Sequence, residues 1–174
     1  MSNTFAAIPP DDPARGLTLV HADDPQLPHI GIVGDTYTIL VSGSDTGGRY
    51  CLIDMLIPHG GGPAPHRHDF EEMFTVLEGE LEIIFRGATR TATVGTTVNV
   101  PANAPHAFKN VSNRPVRLLC LCVPAGQEEF FALIGAPVDS RTAPALELDA
   151  AEMKAFGAKS AALAPKYRTE ISKP

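Results

Sequence analysis

Basic charge is scarce in this chain: 14 lysines and arginines stand against 20 aspartates and glutamates, a formal net charge of -6. That sign is wrong for a phosphate backbone or an anionic lipid surface, so neither nucleic acid nor membrane is an expected partner. Long apolar runs are missing as well. No segment approaches the length of a membrane span, and the opening MSNTFAAIPPDDPARG has no basic patch followed by an apolar stretch, so a cytoplasmic location is expected. Cysteine is sparse and odd in number. Cys51, Cys120 and Cys122 lie inside the apolar segments RYCLIDMLI and VRLLCLCVP, a setting for reduced core thiols. A C-x-C metal or redox site at Cys120 and Cys122 is the sharper alternative, and it lacks a second cysteine cluster.

What is present suits one globular domain: 174 residues with 44% hydrophobic content. From about residue 17 to 123 the chain runs as short, β-branched, often alternating segments, including LTLVH, TYTILVSG, EMFTVLEG, LEIIFRG, TTVNVP and VRLLCLCV. Glycine, proline, asparagine and aspartate punctuate them, as strands joined by tight turns require. So many short strands imply a sandwich or a closed barrel. Gly79 and Gly87 mark turns on either side of LEIIFR, which is expected to pair with MFTVLE.

Residues 1–16 read as a proline-rich extended arm, 17–124 as the β domain and 125–174 as a helical extension. In the extension, GQEEFFALIG carries Phe130, Phe131, Leu133 and Ile134 on a broad apolar face ended by Gly135 and Pro137. A second helix is expected from Asp149, which has capping-box spacing to Glu152. Both helices are expected to pack on the outside of the β domain, with a lid over its mouth as the alternative.

Histidine is also scarce, at six residues, yet three of them fall in PHGGGPAPHRHDFEE. In an extended chain His66, His68 and Glu72 point to one face and Glu71 to the other. Two imidazoles and a carboxylate in one interior would be costly without a partner, and a divalent cation is the natural one. A solvated surface cluster is the alternative. His106, on an otherwise apolar strand in VPANAPHAFKNV, completes a set of three histidines and one glutamate if the sheet closes on itself. His59 has a loop context and no partner at ligand spacing.

Together the two stretches resemble the paired signature of the cupin family. The first matches Gly60, five residues, His66, one residue, His68, three residues, Glu72, six residues, Gly79. The second matches Gly95, five residues, Pro101, then Asn103, His106 and Asn110. Asn103 stands where the family usually has glycine, and asparagine is the residue that next most readily takes a left-handed backbone.

The resemblance implies an all-β cupin jelly-roll β-barrel with the N-terminal arm and C-terminal helices attached, commonly a homodimer. It implies one divalent transition metal per chain at His66, His68, Glu72 and His106. Iron, manganese, nickel, cobalt and zinc are all eligible; four protein ligands would fill a tetrahedral zinc shell, whereas an octahedral ion keeps open positions. Whole-chain character is similar to the bacterial single-domain cupins grouped with quercetin 2,3-dioxygenases. The function expected is therefore a metal-dependent dioxygenase, an oxidoreductase of a small aromatic or enolisable substrate, with Glu72 also placed to take a substrate proton. Phe74 shares the interior parity of Glu72, and Phe108 that of His106, so both are candidate substrate-binding walls, or plain core residues. Two alternatives stand beside this one: an oxygen-independent isomerase or cyclase, and a non-catalytic small-molecule-binding cupin.

Overall fold

A computed structural model of the protein describes residues 7–144 and 147–172. In chain order the first elements are β1 (His29–Ile32), β2 (Asp35–Val41), α1 (Gly43–Thr46), β3 (Cys51–Ile57), β4 (His66–His68), β5 (Glu71–Glu78) and β6 (Glu80–Phe85). There follow β7 (Ala88–Thr93), β8 (Thr97–Val100), β9 (His106–Lys109), β10 (Val116–Val123), α2 (Gln127–Ile134), β11 (Ala136–Pro137), α3 (Ala150–Leu163) and β12 (Thr169–Ile171). The strands make two antiparallel sheets, in the orders β11-β1-β2-β3-β10-β5-β8 and β12-β4-β9-β6-β7. The jelly roll is thus two facing sheets rather than one continuously hydrogen-bonded barrel. No helix among the described residues is long and apolar enough to cross a membrane.

Alternation builds the core between the sheets. In β10 the residues Val116, Leu118, Cys120 and Cys122 are fully buried while the positions between them are part-exposed. Ile53, Met55 and Ile57 of β3, Val76 of β5 and Leu81 of β6 meet them from neighbouring strands. Each such aliphatic side chain contributes roughly 1.5–3 kcal/mol relative to exposure.

Two expectations from the sequence need correction. The segment LTLVH forms no strand: residues 17–21 have no sheet partner, and Leu17 and Leu19 are exposed. The position beside β1 is already taken by β11, which pairs Ile30 with Pro137. The second concerns MFTVLE and LEIIFR, which do not pair. β5 pairs with β10 and β8, and β6 with β7 and β9, so the chain changes sheets at Gly79. That corner demands glycine. Its φ is 78°, and a Cβ there would stand 2.8 Å from Val116 Cγ2 and 3.1 Å from the Pro115 carbonyl oxygen.

The segment after Val123 returns to the β domain twice, as β11 and as β12. β12 pairs with β4 in the register Thr169 to His68 and Ile171 to His66. Exposed ion pairs, Arg67 with Glu170 and Arg168 with Asp69, flank that pairing; such pairs contribute at most about 1 kcal/mol each. The backbone ladder does most of the anchoring of the segment that carries α3. α3 starts at Asp149, whose side chain accepts from the amides of Ala151 and Glu152 while Glu152 reaches back to the Asp149 amide, the capping box expected from the sequence.

Candidate metal centre and its cavity

Four residues from three strands converge between the sheets. His66 and His68 come from β4, His106 from β9 beside it, and Glu72 from β5 in the facing sheet. His66 and His106 are direct register partners. The single strand expected to carry His66, His68 and Glu72 is in fact two strands in different sheets, and the inward parity survives the crossing: Glu72 is buried and Glu71 exposed. One ligand atom from each of His66, His68, Glu72 and His106 lies within 4.8 Å of the others.

The hydrogen bonds around the rings decide which nitrogen is offered. Nδ1 of His66, His68 and His106 donates to the carbonyl oxygens of Ala64, Phe70 and Ala104, each at 2.9 Å. A carbonyl can only accept, so Nδ1 holds the proton and a neutral ring presents the Nε2 lone pair. Nε2 of both His68 and His106 stands 3.0 Å from Glu72 Oε2. Lone pairs directed at a carboxylate oxygen are unfavourable unless a second proton or a cation joins them. The donor set therefore fits a divalent transition ion, for which neutral imidazole and carboxylate are suitable ligands.

Protonation is the cation-free solution, and the titrations follow it. Burial opposes charge on Glu72, but its bonds to His106 and His68 outweigh burial and hold the carboxyl well below the usual range. Burial also lowers His106, yet the neighbouring Glu72 carboxylate leaves it raised. His66 is pushed down to about 4 by burial, with the charges of His106 and His68 adding to the effect and Glu72 opposing it.

Behind the cluster, Cys120 Sγ lies 3.3 Å from Glu72 Oε1. Burial pushes this thiol up to about 12, so it stays protonated and donates, orienting the carboxylate. Cys120 and Cys122 are core thiols, as expected, with this added contact that composition alone did not suggest. The register Glu72 to Cys122 and Phe74 to Cys120 explains it, since these residues share one inward face.

The cluster opens onto a cavity of about 440 Å³. His66 and Glu72 border it, and Phe74 and Phe108 form part of its wall, their rings edge to face with centroids 5.1 Å apart. Sequence reasoning missed much of the remainder. Tyr37 and Met55 line the cavity from β2 and β3, and α2 and α3 close it with Phe130, Phe131, Met153 and Phe156. The helices thus do not simply coat the outside of the β domain; they supply one wall of the cavity. The apolar face of GQEEFFALIG was the available signal, since Phe131 meets Tyr37 with ring centroids 4.8 Å apart.

The glycine-rich approach to β4 has its own constraint. Gly62 has a φ of 121°, and a Cβ there would collide with the Phe108 carbonyl oxygen. The turn before His106 takes the expected left-handed form, with Asn103 at a φ of 68° and its amide donating to the His68 carbonyl at 2.6 Å. His59 lies elsewhere, with Nδ1 bonded to the Ser112 carbonyl.

The family model for the cupin domain matches residues 53–122, a span that holds all four residues of the cluster. Residues 53–122 therefore form a cupin domain. This cupin is 28% identical over 140 residues to a quercetin 2,3-dioxygenase of Bacillus subtilis, covering 79% of this chain and 40% of that protein. The chain therefore spans less than half the length of that relative. An uncharacterized protein of Methanocaldococcus jannaschii is 27% identical over 84 residues, covering 48% of this chain and 67% of that protein. Among solved structures, the polyketide cyclase RemF of Streptomyces resistomycificus superposes with a TM-score of 0.54 at 20% identity, covering 78% of this cupin and 89% of the cyclase. A sugar phosphate isomerase from a cupin superfamily of Silicibacter pomeroyi gives 0.50 at 20% identity, covering 56% and 71%. At that identity the two structures bear on the fold alone.

Proposed function

We propose that this cupin is a metal-dependent dioxygenase of a small aromatic or enolisable substrate. One observation carries the reading: three imidazole nitrogens and a carboxylate oxygen converge where His66 and Glu72 form the border of a mostly apolar cavity. A divalent ion held by that set would retain a net charge of about +1 and favour the anionic oxygen of an enolate or phenolate. The chain's own residues then divide the work. Phe74 and Phe108, packed edge to face against each other, offer an apolar wall to a ring and keep water out, and Glu72, the negatively charged member at the cavity border, receives the hydroxyl proton. Cys120 holds the opposite carboxylate oxygen while this happens. The Bacillus relative, a quercetin 2,3-dioxygenase, supports a flavonol as the first substrate to try.

The test is elemental analysis of the purified protein, followed by oxygen uptake with iron, manganese, nickel or cobalt restored and flavonols and small phenols supplied. Uptake that needs substrate, metal and His106 supports the reading; stoichiometric metal with no uptake defeats it. An oxygen-independent isomerase or cyclase would use the same residues, and turnover without oxygen selects it. The reading includes a homodimer, supported by the exposed Leu17 and Leu19, which no strand among the described residues covers; a monomeric mass by light scattering would contradict it.

A further inference from the structure

The cavity carries a second set of polar groups apart from the histidine cluster. Among the described residues, three buried side-chain polar atoms have no hydrogen-bond partner: Asp35 Oδ1, Gln127 Oε1 and Ser160 Oγ. All three residues line the cavity that His66 and Glu72 border. Buried polar atoms are ordinarily paired, and each exception calls for a reason. Here β2, α2 and α3, far apart in sequence, each bring one such residue to the same cavity.

Local structure offered alternatives that were not taken. A serine inside a helix commonly bonds the carbonyl one turn back, and Ser160 does not. Asp35 Oδ2 accepts from Tyr37 Oη at 3.0 Å, yet Oδ1 stays unpaired. Burial, opposed chiefly by the Tyr37 bond, pushes the Asp35 carboxyl up to about 7, so near neutrality it can accept or donate. The rest of the wall is largely aromatic and aliphatic.

We propose that Asp35, Gln127 and Ser160 are specificity-determining contacts that hydrogen-bond ligand hydroxyls, selecting a polyhydroxylated ring compound over its unsubstituted analogue. The inference rests on the reading of this cavity as the substrate site. A hydroxyl both donates and accepts, so it can meet the Gln127 carbonyl oxygen, the Ser160 hydroxyl and the Asp35 carboxyl alike. Gln127 and Ser160 lie beyond residues 53–122, which makes selectivity a property of the C-terminal helices rather than of the shared cupin domain.

The experiment is calorimetric titration of the full-length, metal-loaded protein with quercetin and with 3-hydroxyflavone. These probes share the oxygens that would meet the cluster and differ in the remaining ring hydroxyls. Wild type should bind quercetin the more tightly. Ser160→Ala and Gln127→Met should each weaken quercetin about tenfold and leave 3-hydroxyflavone within roughly twofold, the loss expected for one hydrogen bond to a buried group. Asp35→Asn should discriminate in the same direction. Without ligand, Ser160→Ala and Gln127→Met should hold or raise Tm, because an unpaired buried atom is removed. Equal losses on both probes, no loss on either, binding of neither probe, or a lower Tm in both variants would each overturn the inference. Absence of oxygen uptake in the same preparation would sink the dioxygenase reading and leave this discrimination standing.

Discussion

His106 Nε2 stands 3.0 Å from Glu72 Oε2, joining a strand of one sheet to a strand of the other. Because the His106 Nδ1 proton is committed to the Ala104 carbonyl, a neutral His106 ring would offer its Nε2 lone pair beside the Glu72 carboxylate, the arrangement that a pair of metal ligands requires. His66→Ala, His106→Ala and Glu72→Ala should therefore lose stoichiometric metal with modest loss of folding. Glu71→Ala is the control. Glu71 faces outward and bonds Asn99 and the Ala102 amide, so its removal should leave metal content unchanged. Elemental analysis beside circular dichroism decides; equal loss in all variants would contradict the assignment by facing side.

The thiol behind the carboxylate gives a finer test. Cys120→Val keeps the buried volume and removes the S–H donor 3.3 Å from Glu72 Oε1. Metal affinity should fall about tenfold or more, the usual cost of losing a group that orients a ligand. Competition with a chelator measures it. An unchanged affinity would make Cys120 a packing residue only.

Acid should release the metal. Imidazole ligands bind in deprotonated form, so falling pH sets protons against the ion around their unperturbed pKa of roughly 6.5, and tighter metal binding moves the midpoint lower. Metal content after dialysis across that range should decline steeply. Full retention at pH 4, well below the usual imidazole range, would argue against three histidine ligands.

That His66, His68 and Glu72 point to one interior was legible in the sequence for a definite reason: the period-2 rule survives the passage from β4 to β5, so inward residues stay inward across the change of sheet. Asn103 was legible as well, since few residues accept its left-handed backbone. The pairing of MFTVLE with LEIIFR was not. A glycine between two alternating segments signals a turn, but only the packing of Val116 and Pro115 against Gly79 makes that turn a corner between sheets rather than a hairpin. LTLVH failed because alternation describes a strand's faces and says nothing of whether a neighbour remains to pair with it. The helical wall of the cavity was legible only as the lid alternative, since choosing it over packing on the outside depends on β12 returning to β4 some hundred residues after that strand. Asp35 gave no signal, because aspartate in DTYTILV reads as a turn residue until the fold buries it.

Asp35 also makes stability depend on pH in a direction opposite to that of an ordinary ion-paired carboxylate. Its carboxyl rises from the usual carboxylate range to about 7, chiefly through burial, with the Tyr37 bond acting against the shift. The folded state thus keeps a proton that the unfolded chain has lost between about pH 4 and pH 7, and stability falls as pH rises through that window. Asp35→Asn retains the shape and abolishes the titration. The difference in unfolding free energy between Asp35→Asn and wild type should grow in favour of the variant by up to about 4 kcal/mol across the window, then level off. Comparing the two proteins cancels His66, whose lowered pKa drives stability the other way, upward as pH rises from about 4 toward the ordinary imidazole value. Urea melts of both proteins at several pH values provide the measurement, and parallel curves would mean that Asp35 is ionised in the folded protein at no cost.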